Sequence, residues 1–336
     1  SSSRGTRAIH QTLIVVQMAL ALLLLAGASI FVRTYAGQRG IELGYDTAHL
    51  MTMRVYLAGP AYSAADARSR FVDALAVKLR SLSGAHAATV TDLVPLDDTG
   101  GRETQIAIEG QTYAEGKEPT IQYAGVAGAW PETFNVSVEG RTFSEQELTG
   151  TTGVALVNRS FANSFWPGQD ALGKRFRSVE FDGSPWMTVI GVVPDIRTLK
   201  LDETGLNPPT AYVPHRFISV LSWGIVVRAS GSPQSVVAGV RSAVREIDPT
   251  VALYDVYPME HVRWLSYWMY VMWGTMFGVL GLIALFIAAV GVYGVVYYTV
   301  AQRTKEIGLR VALGAGRAQV VGPMLRQAAV LSLLGI

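Results

Sequence analysis

Residues 269–302 read MYVMWGTMFGVLGLIALFIAAVGVYGVVYYTVAQ, without one charged side chain. At about 1.5 Å rise per residue, a helix of this length is more than long enough to cross the roughly 30 Å hydrocarbon core of a bilayer. Trp264, Tyr267, Trp268, Tyr270 and Trp273 crowd one end, and Tyr293, Tyr297 and Tyr298 mark the other. Trp273 and Tyr293 are spaced as two interfacial aromatic belts would be. Gly274 and Gly278 form a small-xxx-small pair, extended by Gly281, and such a surface lets another helix approach closely.

Working outward, residues 13–32 form a second apolar run in which Gln17 is the strongly polar member. Arg4 and Arg7 precede it, and 26–28 resembles a signal cleavage site. Signal cores span only about 7–15 residues, so the run reads as a retained span. A third apolar run begins at Ala328 and reads as the start of a further span. Charge orients the set. Arg303, Lys305, Arg310, Arg317 and Arg326 follow the second span, accompanied by one acid, Glu306. The positive-inside rule places that side in the cytoplasm, which puts the N-terminus inside and residues 34–268 outside.

The whole chain is 50% hydrophobic and 16% charged, the balance of a membrane protein rather than of a soluble domain. A formal charge of +2 argues against nucleic acid as a partner. With no cysteine, disulfides, thiolate metal sites and a cysteine nucleophile are excluded.

The outer segment has a mixed α and β pattern. A strand at 49–57, an amphipathic helix at 64–81 with Phe71, Leu75, Leu79 and Leu82 on one face, and a strand at 87–93 make one β-α-β unit. A strand at 223–229, a helix opened by Pro233 with Val236, Val240 and Val244 on one face, and a strand at 251–256 repeat it. Between them, residues from about 100 to 186 have short alternating runs, as a small β-rich insertion would.

Several motifs carry no chemistry. Residues 168–175 nearly spell a P-loop, but Arg175 stands where a Mg²⁺-holding hydroxyl belongs, and the run follows Trp166-Pro167 instead of a buried strand. None of the five histidines lies at i, i+4 from another, and no nucleophile elbow is present. No metal, cofactor or catalytic residue is therefore expected. Asp92, Asp97 and Asp98 read as a solvated loop beside a glycine turn. Two glycosylation-like triplets, at Asn135 and Asn158, are short enough to arise by chance.

After the second span, Arg303, Glu306 and Arg310 are spaced one turn apart, and Glu306–Arg310 is a favourable i, i+4 pair. Ile307 and Val311 fall on another face. This short amphipathic helix reads either as a basic topology anchor or as a docking helix for a cytoplasmic partner.

The run 303–315, with Glu306-Ile307-Gly308, Arg310 and Ala312-Leu313-Gly314-Ala315, resembles the signature that follows the second span in MacB/FtsX-type ABC transporter permeases. Residues 154–158, 165–168, 172–176, 189–197 and 208–214 resemble that group's periplasmic core domain. Residues 13–33 resemble the opening span of the C-terminal half of its duplicated, eight-span members. Gly316 departs mildly from the pattern. The resemblance implies a membrane α-helical plus α+β protein whose transmembrane helices flank a large extracytoplasmic MacB-like domain. Its parts would be a cytoplasmic segment at 1–10, spans at 11–33 and 269–300, and an outer domain at 34–268. That domain would comprise a porter-like α+β part at 45–97 and 187–265 and an inserted sabre-like part at 98–186. A coupling helix at 301–319 and a truncated third span at 320–336 would complete the chain. Arg303, Glu306, Ile307, Gly308, Arg310, Ala312, Leu313, Gly314 and Ala315 would contact a separate cytoplasmic ABC ATPase. The remaining implied partners are membrane lipid and a second permease half or homodimer partner, in the bacterial inner membrane. The function implied is that of a non-catalytic permease subunit coupling ATP hydrolysis to movement of the outer domain, in efflux or export. A membrane-anchored binding or scaffolding protein without transport is the alternative.

Overall fold

A computed structural model describes residues 2–97, 101–114, 116–180, 183–198, 207–302 and 304. In chain order the elements are α1 (Ser2–Arg39), β1 (Leu50–Tyr56), α2 (Ala65–Arg80), β2 (Ala85–Thr91), β3 (Arg102–Ile108), β4 (Thr120–Gly128), α3 (Trp130–Phe134), β5 (Glu139–Gly140), α4 (Glu145–Thr149), β6 (Val154–Asn158), α5 (Arg159–Phe165), β7 (Arg175–Ser178), β8 (Met187–Val193), β9 (Thr210–Pro214), β10 (Ser222–Ala229), α6 (Val237–Ile247), β11 (Leu253–Pro258), α7 (Met259–Leu265) and α8 (Trp268–Gln302). They divide into a unit built from α1 and α8 and a folded domain, 41–266.

The folded domain holds both β-α-β units read from the sequence. β1 pairs antiparallel with β10 and β11, and β10 pairs antiparallel with β2, giving the order β11-β1-β10-β2. Helices α2 and α6 make the two crossovers, so this half is a ferredoxin-like split β-α-β pair. Its core is the one the spacing predicts. Phe71, Leu75 and Leu79 of α2 and Val236, Val240 and Val244 at α6 are all buried, and Leu82 packs partly buried beside them. Asp66 in the first turn of α2, and Lys78 and Arg80 in its last, complement the helix dipole.

The inserted half closes on itself. β4 pairs with β3, β3 with β7, β7 with β8, β8 with β6, β6 with β9, and β9 returns to β4. These six strands form a ring, in which β4–β9 and β6–β8 are parallel and the others antiparallel. Alternate residues supply its apolar core: Ile106 and Ile108, Ile121 and Tyr123, Ala155 and Val157, Met187 and Val189, Ala211 and Val213. β4 also pairs with β2, so it belongs to both halves. The ring runs past the break expected at residue 186. β8 and β9 hydrogen-bond to strands of the insertion, because their parallel partners lie far away in sequence.

Candidate functional site

The helical unit presents a seam built from small and aromatic residues. Tyr267, just before α8, and Tyr270, Gly274, Phe277 and Gly281 along it recur at steps of three and four, the spacing of a left-handed helix pair. Along α1, Ala21, Leu25, Ala28, Phe31 and Tyr35 do the same. Phe31 stacks on Phe277 with ring centroids 5.6 Å apart and lies 6.3 Å from Tyr270, while Tyr35 meets Tyr267 edge-on at 5.3 Å. A side chain on Gly274 would begin 3.2 Å from Cβ of Phe31, and one on Gly281 would begin 2.9 Å from Leu25. Around Gly278 nothing lies within 4 Å of that position. Gly274 and Gly281 line this seam, and Gly278 lies off it. Most other large side chains of both helices are exposed, including Leu23, Ile283 and Phe286, as lipid-facing side chains are. Both helices, Val15–Gly37 and Trp268–Gly294, are apolar enough to span a membrane.

The second feature ties together the segments by which the chain enters and leaves the folded domain. On the entry side, Leu43 O accepts a 2.8 Å hydrogen bond from the Arg197 amide. Gly44 holds φ at +76°, and a Cβ there would stand 2.4 Å from the carbonyl oxygen of Asp195. Only glycine permits that approach. The Asp195 carboxylate accepts from the backbone N and hydroxyl of Ser160, each at 2.9 Å, and so reaches α5 in the ring. Thr198 O accepts from the Leu96 amide at 2.9 Å, and the hydroxyl of Ser266, on the exit side, approaches the Leu96 carbonyl at 3.5 Å. Thr47 donates to Glu260 of α7, which joins entry to exit directly.

Arg228, 8% exposed, fastens the entry segment to β10 and α3. Its Nε donates to Thr133 O at 2.8 Å, and its terminal nitrogens donate to Asp46 O at 2.9 Å, Ala48 O at 3.1 Å and the Asp46 carboxylate at 3.3 Å. An arginine in a strand gives no sequence signal for such a role, because its partners are mostly backbone carbonyls.

The loop after β2 departs from expectation. Asp92 is buried, not solvated: its carboxylate accepts from the Gly125 amide at 2.7 Å. Burial pushes its pKa up to about 7, against the opposing pull of that amide, Arg102 and Arg54. Asp97 is largely buried and pairs with fully buried Arg54 at 2.7 Å. Asp98 lies outside the described residues.

A cleft of about 440 Å³ opens between α2, α3 and α4, lined among others by Asp73, Arg80, Pro131, Glu145 and His215. His215 is buried and lies 3.2 Å from the Asp73 carboxylate, which also pairs with Arg216. This is a closed clasp between α2 and the turn after β9. Among the described residues no group of histidine and carboxylate side chains could hold a metal ion. Arg303, Glu306, Ile307, Gly308, Arg310, Ala312, Leu313, Gly314 and Ala315 all lie outside the described residues.

Two apolar spans bracketing a split β-α-β domain with an inserted ring define a class of membrane protein with one large loop domain between its spans. A family model described as the MacB-like periplasmic core domain matches residues 19–247, and one described as the FtsX-like permease C-terminal region matches 260–336. The chain belongs to the MacB/FtsX-type family of ABC transporter permeases. Among curated relatives, an uncharacterized ABC transporter permease, YvrN of Bacillus subtilis (strain 168), is 27% identical over 64% of this chain and 54% of its own length. A macrolide export ATP-binding/permease protein, MacB 2 of Aeromonas hydrophila subsp. hydrophila, is 25% identical over 68% of this chain and 38% of its own length. The chain therefore spans about half or less of the length of these two relatives. A solved structure of the periplasmic region of MacB from Actinobacillus actinomycetemcomitans covers 63% of this chain and 90% of its own at 15% identity, with a TM-score of 0.41. The extracellular domain of YknZ from Gram-positive bacteria covers 61% of this chain and 100% of its own at 14% identity, with a TM-score of 0.39.

Proposed function

We propose that the chain is the non-catalytic half of a permease that relays ATP-driven movement from the cytoplasm to the folded domain outside, in efflux or export. The segment from Arg303 to Ala315 docks a separate ABC ATPase, the two spans carry the displacement, and the domain responds as the moving part. Membrane lipid and a second permease half, or a second copy, complete the assembly in the bacterial inner membrane. The β11-β1-β10-β2 half is the porter-like part and the six-strand ring the sabre-like part.

The observation that carries this reading is the knot. Entry residue Thr47 bonds exit residue Glu260, entry residue Leu43 bonds segment 195–198, Ser266 reaches that segment through Leu96, and the segment itself grips α5. Within the domain, a displacement that reached residues 43–47 would pass through hydrogen bonds to segment 195–198 and on to α5 in the ring. A plain membrane anchor has no need of such bracing. The close seam of α1 and α8 adds support, since small residues there hold the two spans in direct contact.

Co-purification of the full-length permease with its ATPase tests the docking role. Glu306→Lys and Gly314→Pro are expected to abolish the complex while leaving the permease folded in the membrane. Retention of normal ATPase coupling in both variants would refute it.

A further inference from the structure

An aromatic ladder crosses the surface where the folded domain ends. β11 is the last strand of the sheet order, and among the described residues no strand pairs with its outer edge. Its pairing with β1 shifts register between Thr52 and Arg54, and Asp255 takes φ +48°, so the strand twists as it reaches α7. Helix α7 buries Met259 and Val262 and turns His261, Trp264 and Leu265 the other way. Tyr257 lies 4.8 Å from His261 ring to ring, and His261 stacks on Trp264 at 5.6 Å. Tyr257 is 37% exposed, Trp264 44% and Leu265 38%. Tyr257, Trp264 and Leu265 are exposed with half-buried His261 between the two rings, and a grouped apolar patch of this kind marks a binding surface.

The chain itself indicates the occupant. The span helix begins at Trp268, four residues after Trp264, so Trp264 stays within about 15 Å of the membrane-spanning segment whatever the domain does. Tyr, His and Trp each combine an apolar ring with a polar tip, the chemistry that settles between acyl chains and headgroups. In the sequence, the same stretch continues into Trp268, Tyr270 and Trp273, the aromatic residues at the start of the span.

We propose that Tyr257, His261, Trp264 and Leu265 form a lipid-docking face, on which the folded domain rests at the headgroup–acyl boundary of the phospholipid bilayer. The domain is then held to the membrane surface as well as tethered by its spans, and any outward movement must first peel this face from the lipid.

The test uses the absence of cysteine from the chain. His261→Cys and Leu265→Cys, each labelled with an environment-sensitive fluorophore, are compared with Thr112→Cys on the exposed connection between β3 and β4. The full-length protein is reconstituted in phosphatidylcholine–phosphatidylglycerol vesicles containing a lipid with a nitroxide high on its acyl chain. Quenching at 261 and 265 should exceed that at 112 by about threefold or more. Quenching equal at all three sites overturns the proposal. So does lipid quenching at 261 and 265 that disappears as the protein-to-lipid ratio rises, which would give the face to a second copy. Circular dichroism of each variant confirms that the fold is retained. The outcome does not depend on the ATPase, so it stands or falls separately from the coupling role.

Discussion

The span pair and the entry–exit knot both hold together segments far apart in sequence, by opposite chemistry. Between α1 and α8 the contact is apolar: Phe31 on Phe277, Leu25 over Gly281. Its attraction is dispersion, with little directionality, so the helices can slide or rotate at small cost. In the knot the contacts are hydrogen bonds to Asp195, Arg197, Thr198 and Arg228, several of them buried. Buried donors and acceptors tolerate little displacement before one is left unpaired. The difference assigns compliance to the membrane unit and stiffness to the point where its motion would enter the domain.

Breaking the stiff side should have the largest effect. Arg228→Met removes the donors to Asp46, Ala48 and Thr133 and leaves those carbonyls with no replacement. Unfolding of the outer domain by urea in detergent should show a loss of about 3 kcal/mol. Gly44→Ala meets both an unfavourable φ and the Asp195 carbonyl, and should cost about 2 kcal/mol in the same assay. On the compliant side, Gly281→Leu should separate the helices at a cost of about 1–2 kcal/mol, whereas Gly278→Leu should be neutral. Spin labels at lipid-exposed positions 23 and 283 should report a longer, broader distance for the first variant and none for the second. Equal responses would mean that the seam is not the packing surface.

The smallest expected effect is a slope. The folded-state pKa of Asp92 lies near 7, above its ordinary 3.8, so the protein binds a proton that the unfolded chain releases. Stability from this group is fully present below pH 3.8 and is lost as pH rises through 7, by about 1 kcal/mol between pH 6 and pH 7. Asp92→Asn should flatten that part of the stability–pH profile. A profile equally steep in the variant would place the titration elsewhere.

The sequence disclosed the spans, because long charge-free runs have few other physical meanings, and both β-α-β units, because their helices carry apolar residues at helical spacing. It did not disclose the ring. β6 and β9 are buried along their whole length, so they show no alternation, and their partners across parallel pairs are distant. Asp92 misleads for a related reason. An acid beside glycines resembles a solvated loop unless the amide of Gly125, thirty-three residues on, is known to reach it. The knot was equally silent, since backbone carbonyls carry no residue identity. By contrast, the segment from Arg303 to Ala315 was legible as a motif, and that motif, not geometry, supports its docking role.

The central claim is that ATP-driven movement crosses the spans and reaches the domain through the knot. It is tested most directly by spin labels at Val279, on the exposed face of α8, and Thr112, in the ring half, in the full-length permease reconstituted with its ATPase. Trapping the ATP-bound state should shift the distance between the labels, and Glu306→Lys should abolish the shift. A distance unchanged while ATP is hydrolysed at the normal rate would contradict the account.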